Sequence, residues 1–203
     1  MITYRRLFHF SARTLRNAKD SFDLLDQLAK SVGSSENDKL DDCLQKISEN
    51  PPIDPLNNVL AKWRAEYLKS PSQTLNPTRV LEKVDEWKGL VDSIENSNSL
   101  QEQVRKQLHD ILRPDVKSYT HVIQAVATSM DDRSHPHKLD FIHTLLGRLI
   151  DQSRNDLSIQ PNVASFSAVM NAWARTNGDP RSSSKVEELL RCMEELDEQG
   201  RPN

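Results

Sequence analysis

Glycine is scarce, with five in 203 residues. That excludes the glycine-rich loops that cradle phosphates and argues against a glycine-punctuated β fold. Cysteine is scarcer. Cys43 and Cys192 stand far apart without a CxxC spacing, which fits a reducing compartment better than a disulfide framework or a zinc site. No apolar run reaches the length that crosses a bilayer, so no membrane partner is expected. Positive charge is in deficit: 27 Lys and Arg against 30 Asp and Glu give a net charge of -3, short of the broad basic field common in nucleic-acid binders. Catalytic constellations are missing too. His135-Pro136-His137 has no third ligand nearby, and Asp131-Asp132 and Glu187-Glu188 have no nucleophile or histidine beside them. The expectation is a chain with no catalytic residues, no metal and no cofactor.

What the chain does have is uneven. Its first 19 residues, MITYRRLFHFSARTLRNAK, carry Arg5, Arg6, Arg13, Arg16 and Lys19 without an acid. Interleaved hydroxyls and apolar residues make this the composition of an organelle transit peptide, or alternatively of a basic first helix. Residues 20–52 hold two short helical patterns, around Phe22-Leu24-Leu25-Leu28 and Leu40-Cys43-Leu44-Ile47, with SVGSSEND as a loop between them. From residue 53 the periodicity becomes regular. Leu56, Val59, Leu60 and Trp63 occupy one helix face, as do Tyr119, Val122, Ile123 and Val126, and Phe166, Val169, Met170 and Trp173. A second helix follows each. Val80, Val84 and Trp87 mark the first, Leu139, Ile142, Leu146 and Leu149 the next, and Val186, Leu189, Met193 and Leu196 the last. The three tryptophans lie on these stripes and are expected in the core. Asn76-Pro77 is a helix start, and Ser184-Lys-Val-Glu187 has the spacing of a capping box.

These pairs of helices repeat. Residues 114–153 align without a gap on 161–200 at an offset of 47, with Pro, Val, Ser, Val, Ala, Ala, Asp, Lys, Leu and Gln identical. A weaker copy spans 53–92, and an insertion, 93–113, separates it from the next. Its start, ENSNS, reads as disordered, and Leu100, Val104, Leu108 and Leu112 suggest an amphipathic turn or two. Hairpins that cannot bury their own apolar faces stack on one another. The expected fold class is therefore all-α, an α-solenoid of helix-turn-helix hairpins.

The helix openings resemble those of the pentatricopeptide repeat (PPR) family. The resemblance lies in Pro114-Asp115-Val116, Ser118-Tyr119 and Val122-Ile123-Gln124-Ala125, and in Pro161-Asn162-Val163, Ser165-Phe166 and Val169-Met170-Asn171-Ala172. It extends to the second-helix ending, Leu189 to Leu196, and to Arg201-Pro202-Asn203, which looks like the opening of a further unit. The W-x2-L-G-x2-Y signature of tetratricopeptide repeats is absent. By this resemblance 53–92 is a degenerate hairpin, 114–160 and 161–201 are repeats, and 202–203 begins another. Spacings of 47 residues from Pro114 to Pro161 and 41 from Pro161 to Pro202 exceed the family's usual unit of about 35.

The resemblance implies binding of single-stranded RNA, one base per repeat, in mitochondrial or alternatively plastid RNA processing, stability or translation. It implies base-reading pairs Asn57 with Asp115, Thr120 with Asn162, and Ser167 with Asn203, with Lys117 and Ala164 flanking the bases. The first pair would favour uracil and the other two adenine. Hydroxyls and amides of this kind are expected to face solvent opposite the apolar stripe. A helical scaffold for protein partners is the alternative, and an enzyme whose catalytic domain lies beyond Asn203 is a third.

Overall fold

The helices form on sequence that is not intrinsically helical. VKSYTHVIQAVAT is rich in β-branched residues, each costing up to about 0.7 kcal/mol in a helix relative to alanine. Burial outweighs that penalty at about 1.5–3 kcal/mol for each large apolar side chain, because Tyr119, Val122, Ile123 and Val126 are all buried. The computed structural model describes residues 18–32, 55–95, 102–129, 136–176 and 179–198. Among them the regular elements are α1 (Ala18–Val32), α2 (Pro55–Lys69), α3 (Pro77–Glu95), α4 (Glu102–Leu112), α5 (Val116–Thr128), α6 (Pro136–Gln152), α7 (Val163–Ala174) and α8 (Ser182–Glu198). A 3-10 turn, Leu157–Ile159, precedes α7. The fold is all-helical, with no strand among the described residues. No helix among them is long and apolar enough to cross a membrane.

The chain divides into two compact units. One comprises residues 1–76 and 82–113, the other 77–81 and 114–203. In the first, α1 packs on α2 and α2 on α4. Phe22 stacks on Trp87 with ring centroids 5.8 Å apart, and Trp63 stacks on Tyr67 at 5.5 Å. The Trp63 indole Nε1–H donates to the Leu75 carbonyl at 2.9 Å, which satisfies the one polar group of a side chain only 1% exposed. Lys83 pairs with Asp26. On α2 the buried face is Leu56, Leu60, Trp63 and Tyr67, with Val59 half-buried.

Within the insertion, the expected turn or two is a full helix, 11 residues from Glu102 to Leu112. Leu108 and Leu112 of α4 are fully buried, and α4 packs against α2. ENSNS falls almost wholly outside the described residues, as do 1–17, Leu40 to Ile47 with Cys43, Asp131-Asp132 and His135. Lys19, at the end of the basic segment, already lies in α1. The helical boundary is therefore one or two residues earlier than the transit-peptide boundary placed after residue 19.

In the second unit α5 packs on α6 and α7, and α7 packs on α6 and α8. Leu139, Ile142, Leu146 and Leu149 of α6 are buried, while on α8 only Leu189 and Leu196 are, with Val186 and Met193 half-buried. Residues 154–160, RNDLSIQ, which precede Pro161, contain the 3-10 turn. Its Ile159 is fully buried and the 3-10 turn packs against α5. The capping box assigned to Ser184 and Glu187 does not form. α8 begins at Ser182, so both residues lie inside the helix and are exposed. The carboxylate of Asp179 takes the Arg181 amide instead, at 2.9 Å. An Asp three residues ahead of the helix start competed with the Ser-x-x-Glu pattern and won.

Candidate functional site

Two prolines open two equivalent helices, and the residue after each is a cap. Asp115 has extended backbone (φ -124°, ψ -173°), and its carboxylate accepts from the amides of Lys117 and Ser118 at 2.8 and 3.1 Å. Ser118 Oγ returns the bond by accepting the Asp115 amide at 3.2 Å. Asn162 repeats the geometry (φ -119°, ψ 175°), accepting from the Ser165 amide at 3.0 Å. A cap satisfies amides that the first turn leaves unpaired.

The two helix starts are joined through hydroxyls. Thr120 Oγ1 lies 2.7 Å from Ser165 Oγ, and Ser165 Oγ lies 3.1 Å from Asn162 Oδ1. Thr120 Oγ1 is also 2.7 Å from the Val116 carbonyl. Three contacts share two hydroxyl protons, so one contact is always without a proton. The arrangement that leaves no bare oxygen–oxygen approach at 2.7 Å sends Ser165 to Thr120 and Thr120 to Val116, so the contact without a proton is the longer one, 3.1 Å from Ser165 Oγ to Asn162 Oδ1. Asn162 Oδ1 still keeps the Ser165 amide. That fixes the orientation of the side-chain amide, since a backbone N–H requires an acceptor. The Asn162 Nδ2 is left as a donor with no partner among the described residues.

The structure thus brings Thr120 and Asn162 together through Ser165, but places Thr120 indoors. Thr120 is 6% exposed and Asn57 8%, so the expectation that these groups face solvent is corrected for both. The reason for Thr120 is that α7 packs over it and its hydroxyl bonds internally. Ser167 and Asn162 are half-buried, and Lys117 and Ala164 are exposed. Asp115 is half-buried at its cap, and Asn203 lies outside the described residues. Ser118 and Ser165, both fully buried, carry the polar wiring that sequence reasoning treated only as motif. Their identity at the offset of 47 was the available signal.

A second polar cluster went unseen in the sequence. His143 of α6 stands edge-on to Trp173 of α7, centroids 6.1 Å apart at 87°. Its Nε2 is 3.4 Å from Lys185 Nζ and 3.7 Å from Glu188 Oε1. Burial, then the Lys185 charge, holds the His143 ring below its ordinary 6.5. Lys185, 2.7 Å from Glu188 Oε2, holds the Glu188 carboxyl below the usual carboxylate range. Arg181 bonds Asp179 at 2.9 Å and Asp140 at 3.2 Å, with its guanidinium 5.3 Å from the Trp173 ring centre. Beside this cluster a cavity of about 350 Å³ opens between His143, Gly147, Ile150, Glu188, Leu189 and Cys192. The Cys192 thiol is free and pushed up by burial, which makes it a poor nucleophile. Among the described residues no three His, Cys, Asp or Glu side chains are grouped to hold a metal ion.

No protein-family model, curated protein or solved structure matches the chain.

Proposed function

We propose that the chain is a PPR-type α-solenoid segment that binds single-stranded RNA, with the start of α7 as its reading edge. The observation that carries this reading is the Thr120–Ser165–Asn162 chain of contacts. It supports the reading that Thr120 and Asn162, assigned to one base by the repeat pattern, are linked through Ser165. Their roles divide by burial. Thr120 positions Ser165 from inside, and Asn162 offers its Nδ2 outward. A lone outward donor suits a base acceptor such as a ring nitrogen of adenine, which agrees with the preference the repeat pattern implies. Lys117 and Ala164, both exposed, stand two residues past each proline where a base could be flanked.

The RNA is proposed to be an organellar transcript, consistent with the composition of residues 1–19. The test is fluorescence anisotropy with labelled A-, U-, G- and C-rich single strands at low salt. Tightest binding to the A-rich strand is expected, weakening as salt rises.

One observation favours a protein-binding scaffold instead. Residues 114–203 hold 10 Lys and Arg against 13 Asp and Glu, a poor field for phosphate capture. Absence of binding to every strand at low salt would give that reading precedence.

A further inference from the structure

We infer that the slot between α6 and α8 binds an aliphatic polyamine, with an ammonium group at each end and its alkyl chain along the floor. The two helices run side by side in the same direction. Asp140 meets Arg181 and, a turn further on, His143 meets Lys185 and Glu188. Both helices pack on α7, and the cavity of about 350 Å³ opens between them, at the small end of the range for ligand sites. His143, Gly147 and Ile150 of α6 and Glu188, Cys192 and Glu195 of α8 line it, each set along one helix face. Side chains seven positions apart on a helix stand about 10 Å apart along its axis. The slot is therefore two turns long, with a carboxylate near either end of its α8 wall and apolar Leu189 between them.

Each feature narrows the occupant. Gly147 lies inside α6, where glycine weakens a helix relative to alanine. A Cβ at Gly147 would meet no atom within 4 Å, so packing does not require the glycine, and its effect is to leave the slot open. The two carboxylates differ in how they are engaged. Glu188 Oε2 already holds one ammonium, that of Lys185 at 2.7 Å. Its Oε1 lies 3.7 Å from His143 Nε2, which leaves lone pairs for a second donor. Glu195 has no hydrogen bond or ion pair among the described residues. Negative charge reaches the floor as well: after burial, Glu195, Glu188 and Asp151 push the Cys192 thiol up. A carboxylate near each end of an apolar stretch matches a cation at each end of an alkyl chain. A single ammonium leaves one end unmatched, and an anion is repelled. Arg191 is the one Lys or Arg on the lining, and it lies exposed, opposing the ligand through its charge.

The test is calorimetric titration of the full chain with spermidine at fixed ionic strength, with butanediamine as a shorter dication and octylamine as a single-ended cation. One saturable site is expected, tightest for spermidine. Glu195→Gln is expected to weaken it by roughly threefold and Arg191→Gln to strengthen it by about as much, the size of one exposed charge pair. Glu198→Gln removes an exposed charge that is not on the lining and is expected to change nothing. Gly147→Leu fills the slot and is expected to abolish binding, with helix content checked by circular dichroism. Absence of a saturable spermidine site overturns the inference. So do equal losses in Glu195→Gln and Glu198→Gln, which would reduce binding to general attraction, and octylamine binding as tightly as spermidine. Full affinity in folded Gly147→Leu overturns it too. RNA enters none of these readouts, so this can fail while the proposed function stands, and the reverse.

Discussion

Asn162 holds a helix start with its oxygen, and its Nδ2 has no partner among the described residues, so substitutions there separate stability from the proposed recognition. Asn162→Ala removes the cap and is expected to cost about 1 kcal/mol in urea unfolding, whereas Asn162→Asp keeps it. His143 gives a pH prediction. Its folded ring is held below 6.5, so between 6.5 and the lower folded value the unfolded chain binds the proton first. Stability is full above pH 6.5 and falls as the pH drops through that window. His143→Gln is expected to flatten this loss when urea midpoints at about pH 7.5 and about pH 5.5 are compared. A loss equal to that of the parent chain would clear His143. Of these residues, Asn162 was legible in the sequence because a polar residue after proline is a recurring signal. His143 was not, since its surroundings come from Trp173, Lys185 and Glu188, more than 29 positions away in the chain. The burial of Thr120 was hidden for the same reason. Its neighbour Ser165 lies 45 residues on.

Helix stripes were readable because burial at 3.6-residue spacing leaves a pattern whatever the propensities. Trp63, Trp87 and Trp173 are each 1% exposed, as the stripes required. Helix ends were less readable, because several residues compete for each cap. Ser184→Ala is expected to leave the unfolding midpoint in place, while Asp179→Ala, which loses the acceptor of the Arg181 amide and the Arg181 pair, lowers it. The opposite ranking would restore the capping box to Ser184. The α4 helix was underestimated because its sequence has few apolar residues, and Leu108 and Leu112 are buried only through its packing. Its anchor on α2 is a tertiary contact.

At the scale of the molecule, the all-helical class follows from the stripes and the paucity of glycine. Within the second unit α5 packs on α6 and α7, and α7 on α6 and α8; the offset of 47 makes the two hairpins alike in sequence. The basic start of the chain adds a prediction of address: residues 1–19 fused to a fluorescent protein are expected to reach an organelle, and diffuse fluorescence would remove the organellar part of the proposal. The central claim is that Asn162 presents a donor to a base. Its most direct test is the base preference of Asn162→Asp, measured by anisotropy on A- and G-rich single strands. A carboxylate accepts where the amide donated, so it should refuse the adenine acceptor and take the N–H donors of guanine. The expected result is a shift from adenine toward guanine of roughly 5-fold, the size of one hydrogen bond worth about 1 kcal/mol, at unchanged stability. An unchanged order of preference with intact folding would contradict the claim.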